Sequence, residues 1–123
     1  MAGNHELSLN GRSADEIRRR LGDTVHYLQD SSVTVDGVSV YGSPWTGKRL
    51  SPAWAFSLPY SRLNDRVWAR IPSETQVLVT HCPPGDIMDG RIGCRHLRDT
   101  VLQRVRLVYC PSRRYFVRYC DSS

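Results

Sequence analysis

From Gly93 onward the apolar residues Cys94, Leu97, Val101, Leu102 and Val105 recur at helical spacing, with Arg95, Arg98, Asp99, Gln103 and Arg104 on the other side. That pattern predicts an amphipathic helix of about three turns. Ahead of it, Gln76-Val77-Leu78-Val79-Thr80 is an apolar run without alternation, which predicts a short strand covered on both faces. The run leads directly into His81-Cys82-Pro83-Pro84-Gly85, where a loop must begin. Earlier, Ser32-Val33-Thr34-Val35 and Val38-Ser39-Val40-Tyr41 flank Asp36-Gly37, a dipeptide that accepts the positive φ angles of a two-residue hairpin turn. Ser13-Ala14-Asp15-Glu16 reads as a capping box opening a helix that ends near Gly22.

The remaining segments are less regular. Val25 to Leu28 is β-prone, and Gly42 to Pro59, with three prolines and two tryptophans, reads as an irregular loop carrying a short strand at Ala53 to Phe56. A second helix is expected from Ser61 to Arg70, stopped by Pro72. Leu107-Val108-Tyr109 can open another strand before Pro111, after which Arg113 to Tyr119 reads as a basic and aromatic tail without an evident partner strand. Strands alternating with helices predict an α/β layered fold.

Composition narrows the class. A chain of 123 residues, 40% hydrophobic, is long enough for one core without disulfide or metal staples. No apolar run approaches the ~20 residues of a membrane span, and MAGNHELSLNGRSAD lacks the features of a signal peptide, so a soluble, cytoplasmic protein is expected. Cys82, Cys94, Cys110 and Cys120 form no C-x-x-C pair, so neither a zinc knuckle nor a disulfide framework is expected, and free thiols are the default. The net charge of +5 is concentrated at one end: residues 91–123 hold eight Arg against Asp99 and Asp121.

Two segments carry candidate chemistry. Gly3-Asn4-His5-Glu6 presents an amide oxygen, an imidazole and a carboxylate on consecutive residues. Neutral imidazole and amide oxygen can bind a divalent first-row metal, and an imidazole beside a phosphate can protonate a leaving alkoxide. The second segment is His81, just past the end of the apolar strand, where α/β proteins concentrate functional loops. Three other matches carry no chemistry. Gly42 to Lys48 nearly spells a phosphate loop, but Arg49 stands where a hydroxyl is required and Pro52 opposes a following helix. Gly85-Asp86-Ile87-Met88-Asp89 reads as a turn, and His96 is given no role.

Ala2-Gly3-Asn4-His5-Glu6 and Val79-Thr80-His81-Cys82-Pro83-Pro84-Gly85, with Val33 to Val38 and Tyr41-Gly42-Ser43-Pro44-Trp45 between them, resemble the calcineurin-like metallophosphoesterase superfamily, in particular its small metallophosphoesterase-domain-containing proteins. The likeness covers residues 2 to about 106. It implies an αββα sandwich with two divalent metals, commonly manganese, iron or magnesium, hydrolysing phosphate monoesters or diesters, cyclic nucleotides included. Position by position it implies Asn4 and His81 as ligands of the second metal and His5 as the catalytic imidazole beside the phosphate. Two such cations would polarise the phosphoryl oxygens and neutralise the charge of an in-line displacement.

The same resemblance exposes departures. The family's Asp-x-His and Gly-Asp-x-x-Asp precede its Asn-His motif, whereas here only Met1 and Ala2 precede Gly3; its final Gly-His-x-His has no counterpart, because no histidine follows His96. The chain is therefore expected to be a truncated, partial sandwich over residues 1–106, lacking its N-terminal half and its final ligand strand, followed by a divergent tail over 107–123. Metal binding is expected to be weak or absent and the chain inactive by itself. The alternative is a non-catalytic pseudoenzyme, or a binding module whose Arg113 to Tyr119 tail pairs phosphates and stacks bases; nucleic acid is the less favoured partner.

Overall fold

The computed structural model describes residues 1–3, 5–47, 54–86, 93–111 and, along the backbone, 115–118. Asn4 lies outside the described residues, as do Lys48 to Ala53 and Ile87 to Ile92. Among the described residues no helix is long and apolar enough to cross a membrane.

The capped segment forms helix α1, Ala14–Leu21. The Ser13 side chain accepts from the Glu16 amide, and Gly22, at φ 72°, ends the helix in a conformation that glycine adopts without a Cβ penalty. Only half of the capping box forms in this way. The Glu16 carboxylate pairs with Arg12 and, at 3.4 Å, with Arg20.

The hairpin forms as the dipeptide dictates: β1, Ser31–Val35, pairs antiparallel with β2, Val38–Ser43, and Asp36 and Gly37 have φ 49° and 79°, the two positive values of a type I′ turn. β3 is Thr46–Gly47 and β4 Ser57–Leu58, a parallel pair of two residues each. The strand expected at 53–56 is thus displaced toward Pro59. Phe56 has φ 48°, a turn conformation that cannot continue a ladder, and Ala53 lies outside the described residues. Val25 to Leu28 is likewise not a strand: the Tyr27 carbonyl accepts from Arg18 Nε at 3.2 Å instead of joining a ladder, and Tyr27 is buried.

The expected second helix divides. α2 covers Tyr60–Arg66, Val67 departs to φ −120°, and Trp68–Arg70 continues as one 3-10 turn. This tighter winding places Val67, Trp68 and Ile71 together in the core. β5, Val77–Thr80, follows, then α3, Arg95–Arg104, and β6, Leu107–Cys110. On α3, Leu97 and Val101 are buried as the pattern requires, but Leu102 is 58% exposed and belongs to the outer face. The residues read as a partnerless tail supply β7, Tyr115–Arg118, antiparallel to β6.

The main sheet has the order β1-β2-β5-β6-β7, parallel at β2-β5-β6 and antiparallel at both ends. It is an α/β arrangement with a mixed sheet. Across β2-β5-β6 one face is buried: Tyr41, Leu78 and Val108 lie side by side in register and pack with Leu63, Trp68, Ile71, Leu97 and Val101. β5 is therefore buried on one face only, since Val77 and Val79 are half-buried on the other. A second cluster of Ala2, Ile17, Tyr27, Ala55 and Phe56 sits beside the first, and Trp45 packs against both. The Trp45 ring meets Phe56 edge to face, centroids 5.8 Å apart.

Trp45 Nε1 also donates to Asp30 at 2.6 Å, and Ser43 Oγ donates to the other carboxylate oxygen at 2.8 Å. Burial raises the Asp30 carboxyl above its usual range, partly offset by those two hydrogen bonds and by Arg70. With the folded pKa above the unfolded one, this group's contribution to stability is full below the ordinary carboxylate range and is lost as pH rises through the folded value. Asp30→Asn suits the left-handed backbone at φ 49° and cannot ionise. Its stability relative to wild type is expected to improve between pH 3 and 7, read from paired urea titrations; a flat difference would refute this.

Candidate functional site

Strand β5 ends at Thr80 in the middle of the parallel part of the sheet, and His81 is the first residue beyond it. Its position is set by three backbone ties. The His81 amide donates to the Ser43 carbonyl at 3.3 Å, extending the ladder toward β2, and the His81 carbonyl accepts from Cys110 Sγ at 3.3 Å. Thr80 Oγ1 donates to the Cys82 carbonyl at 2.8 Å, folding the chain away from the strand direction. Farther along, Cys94 N donates to Pro83 O and Gly85 N to Cys94 O, both at 2.9 Å, and these bonds fasten the loop to the start of α3.

The Gly3 to Glu6 turn comes to meet it. Ala2 is buried in the second core cluster and anchors the segment, while the Gly3 amide donates to Glu6 Oε2 at 2.6 Å and the Glu6 amide to the Gly3 carbonyl at 3.2 Å. Gly3 lies directly against the His81 ring: a Cβ there would stand 2.7 Å from both Cε1 and Nδ1. Glycine is required by this close approach, since any side chain would push the imidazole aside.

Between the two segments is a cavity of about 240 Å³ lined by Met1, Gly3, His5, Glu6, His81 and Pro111. His5 is exposed at its rim and His81 half-buried. Burial lowers the His81 pKa, with Glu6 raising it and His5 lowering it, so the neutral imidazole is favoured. A larger cavity of about 440 Å³ opens beside α1, near Arg18, His26 and Ser31, and contains no residue of either motif.

Of the residues singled out from the sequence, His5 and His81 are brought to one cavity. Asn4 lies outside the described residues. Asp86 is held by Arg98 at 2.8 Å and Arg95 at 3.3 Å at the start of α3, and Ile87, Met88 and Asp89 of its Gly-Asp-x-x-Asp match lie outside the described residues. His96 is exposed on α3. Glu6 and Pro111 were not assigned a role by pattern. Glu6 could have been found from its place three residues after Gly3, the spacing at which a carboxylate can reach back to a free amide. Pro111 reaches the cavity only because β6 lies beside β5, which no local signal states.

Among the described residues, too few donors meet at this cavity to hold the metal that the resemblance implies. Among the described residues no group of three or more His, Cys, Asp or Glu side chains is placed to hold a metal ion. His5, Glu6 and His81 share the cavity, but Glu6 Oε2 is already engaged by the Gly3 amide. Divalent ions of this kind take four to six ligands.

Comparison with known proteins gives the relationship. No family model matches the chain. It is 37% identical over 110 residues to a UPF0046 protein of Caenorhabditis elegans, which covers 85% of this chain and 26% of that protein. It is 41% identical over 86 residues to human metallophosphoesterase domain-containing protein 1, covering 65% of this chain and 26% of the human protein. A second Caenorhabditis elegans UPF0046 protein is 34% identical over 125 residues, covering 89% of this chain and 42% of that protein. The chain thus spans between a quarter and a half of the length of these relatives. Over that part of their length, these likenesses support the metallophosphoesterase-like family for this chain.

Proposed function

We propose that this chain carries one portion of a metal-dependent phosphoesterase site, the portion holding Asn4, His5 and His81, and that by itself it turns over no phosphate ester. The observation that carries the reading is the meeting of the Gly3 to Glu6 turn with His81 at one cavity, from opposite ends of the matched sequence. An exposed His5 at the cavity rim is suited to give a proton to a departing alkoxide, and the half-buried His81 ring is favoured neutral beside it. Asn4 and His81 as ligands of a manganese, iron or magnesium ion rest on the resemblance alone. The described donors are too few to hold such an ion.

The sheet supports the partial αββα architecture. Val40, Val77 and Leu107 lie in register on the face opposite Tyr41, Leu78 and Val108 and are only half-buried, as are Val79 and Tyr109 beside them. A face this apolar suits a second layer. A phosphate monoester, diester or cyclic nucleotide is the substrate class, in a cytoplasmic setting. The nucleic-acid reading loses ground because Tyr115–Arg118 is paired with β6 and is not a free tail.

The test is turnover of a nitrophenyl phosphodiester with added manganese, together with the ring resonances of His5 and His81 during titration with inorganic phosphate. The expected result is no turnover above the buffer rate, with phosphate-dependent shifts at both rings. Turnover lost in His5→Ala and His81→Ala would make the chain an autonomous enzyme. Shifts confined to other residues would remove the site.

A further inference from the structure

We propose that the free edge of β1 is a docking site for an extended acidic peptide, which adds to the sheet as a further strand antiparallel to β1, with its carboxylates beside Arg18, Arg19 and His26. None of the phosphoesterase reading uses this edge.

The pairing of the hairpin fixes which backbone groups are free. The Ser39 carbonyl accepts from the Gln76 amide and the Ser43 carbonyl from the His81 amide, so Ser39, Tyr41 and Ser43 turn their backbone groups toward β5. Val38, Val40 and Gly42, at the alternate positions, turn theirs toward β1, where they face Val35, Val33 and Ser31. Thr34 and Ser32 stand opposite Ser39 and Tyr41 in the non-bonded pairs, and their N–H and C=O groups therefore point out of the sheet. β1 is the last strand on that side, and among the described residues no backbone bond reaches Ser32 or Thr34 from elsewhere.

Sheet edges are commonly blunted by a bulge, a proline or a charged side chain. β1 has none of these: its register with β2 is continuous, and Ser31-Ser32-Val33-Thr34-Val35 is uncharged. The strand instead borders the cavity of about 440 Å³, a volume within the range of ligand clefts. Ser31, Ser32 and Val33 line it from β1, and Val25 and Leu28 line it from the segment between α1 and β1. Val25 is 52% exposed and offers apolar surface to a side chain of the added strand.

Charge selects the occupant and its direction. Arg18, Arg19 and His26 line the cavity together with one acid, Asp23. Arg18 pairs with Asp15 at 2.9 Å and donates to Ser31 Oγ at 3.1 Å, which holds its guanidinium beside the start of β1. Arg19 is exposed and makes no ion pair among the described residues. Asp30, next to Ser31, is turned to Ser43 and Trp45. At the far end of β1 stands the exposed Asp36. An antiparallel strand brings its C-terminal end beside Ser31 and its N-terminal end beside the Asp36-Gly37 turn. Carboxylates at the C-terminal end therefore meet the arginines, and at the N-terminal end they would meet Asp36. The outward groups of Ser32 and Thr34 supply two donors and two acceptors, so backbone bonds give affinity and the charges give polarity.

The experiment titrates the whole isotopically labelled chain with acetyl-Thr-Val-Thr-Val-Glu-Glu-amide and follows amide exchange. In the free chain the Ser32 and Thr34 amides should exchange faster than those of Val33 and Val35. The peptide should slow the first two at least about tenfold and leave the other two little changed. Acetyl-Glu-Glu-Thr-Val-Thr-Val-amide should bind at least about fivefold more weakly at low salt, and the first peptide with its Thr and Val amides N-methylated should lose binding. Arg19→Glu is expected to weaken the first peptide about tenfold, and the comparison of peptides on the wild-type chain stands whether or not that variant folds. No added protection of Ser32 and Thr34 at about 1 mM peptide would overturn the proposal. Equal binding of the N-methylated peptide would overturn it as well, since charge alone would then be read. Protection of the same two amides that rises with the protein's own concentration, without peptide, would assign the edge to a second copy and refute the acidic occupant.

Discussion

Trp68→Ala is expected to lower the unfolding free energy by about 3–5 kcal/mol, the usual cost of removing a buried indole without full collapse of the space it leaves. Trp68 is 0% exposed and stands among Leu63, Val67, Ile71, Leu97 and Val101, where the 3-10 turn meets both α2 and α3. It is also the indole donor to Cys94. Trp68→Phe gives an intermediate case, since it keeps part of the apolar contact and loses the N–H together with some ring volume, at a cost of about 1–3 kcal/mol. Since a domain of this size holds about 5–15 kcal/mol in total, the alanine variant consumes a large share of it. Urea midpoints for the three proteins provide the check. A loss below about 1 kcal/mol for the alanine variant would mean that the 3-10 turn does not pack as described.

Gly93→Ala should be nearly as damaging, for a different reason. A Cβ on Gly93 would stand 2.5 Å from Gly85 Cα, Gly85 N and the Pro84 carbonyl carbon. All three are backbone atoms, so no rotamer change relieves the clash. The two segments must separate, which breaks the Cys94 N to Pro83 O and Gly85 N to Cys94 O bonds. Overpacking with lost hydrogen bonds is expected to cost about 3 kcal/mol. The comparison is Gly11→Ala, where the added carbon meets nothing within 4 Å and only the positive φ of 76° is strained, at about 1 kcal/mol. Amide exchange at Gly85 and Cys94 should accelerate in the Gly93 variant and remain unchanged in the Gly11 variant. Equal destabilisation by the two substitutions would refute the close packing of Gly85 and Gly93.

What could be read from the sequence was what short stretches of chain specify for themselves. Asp36-Gly37 names its turn, Ser13 and Gly22 mark the ends of α1, and the spacing of Leu97 and Val101 fixes the buried side of α3. What could not be read depends on partners far along the chain. Thr46–Gly47 and Ser57–Leu58 are strands only because they find each other, and Tyr115–Arg118 only because Leu107–Cys110 is beside it. Val25 to Leu28 shows the converse, β-prone side chains with no ladder to join. The same holds at the site. His81 was legible from the strand before it and His5 from its Gly-opened turn, yet the fit of the imidazole over Gly3 is a property of the folded sheet.

Trp45 has one further consequence. Its ring packs against both apolar clusters, and its N–H is tied to Asp30 just ahead of β1. The segment around Ala2, which positions one wall of the His5–His81 cavity, therefore cannot peel away without unseating a side chain that the larger core also needs. Both clusters are therefore expected to melt as one cooperative unit, so that the cavity opens with the whole domain and not with a fraying end.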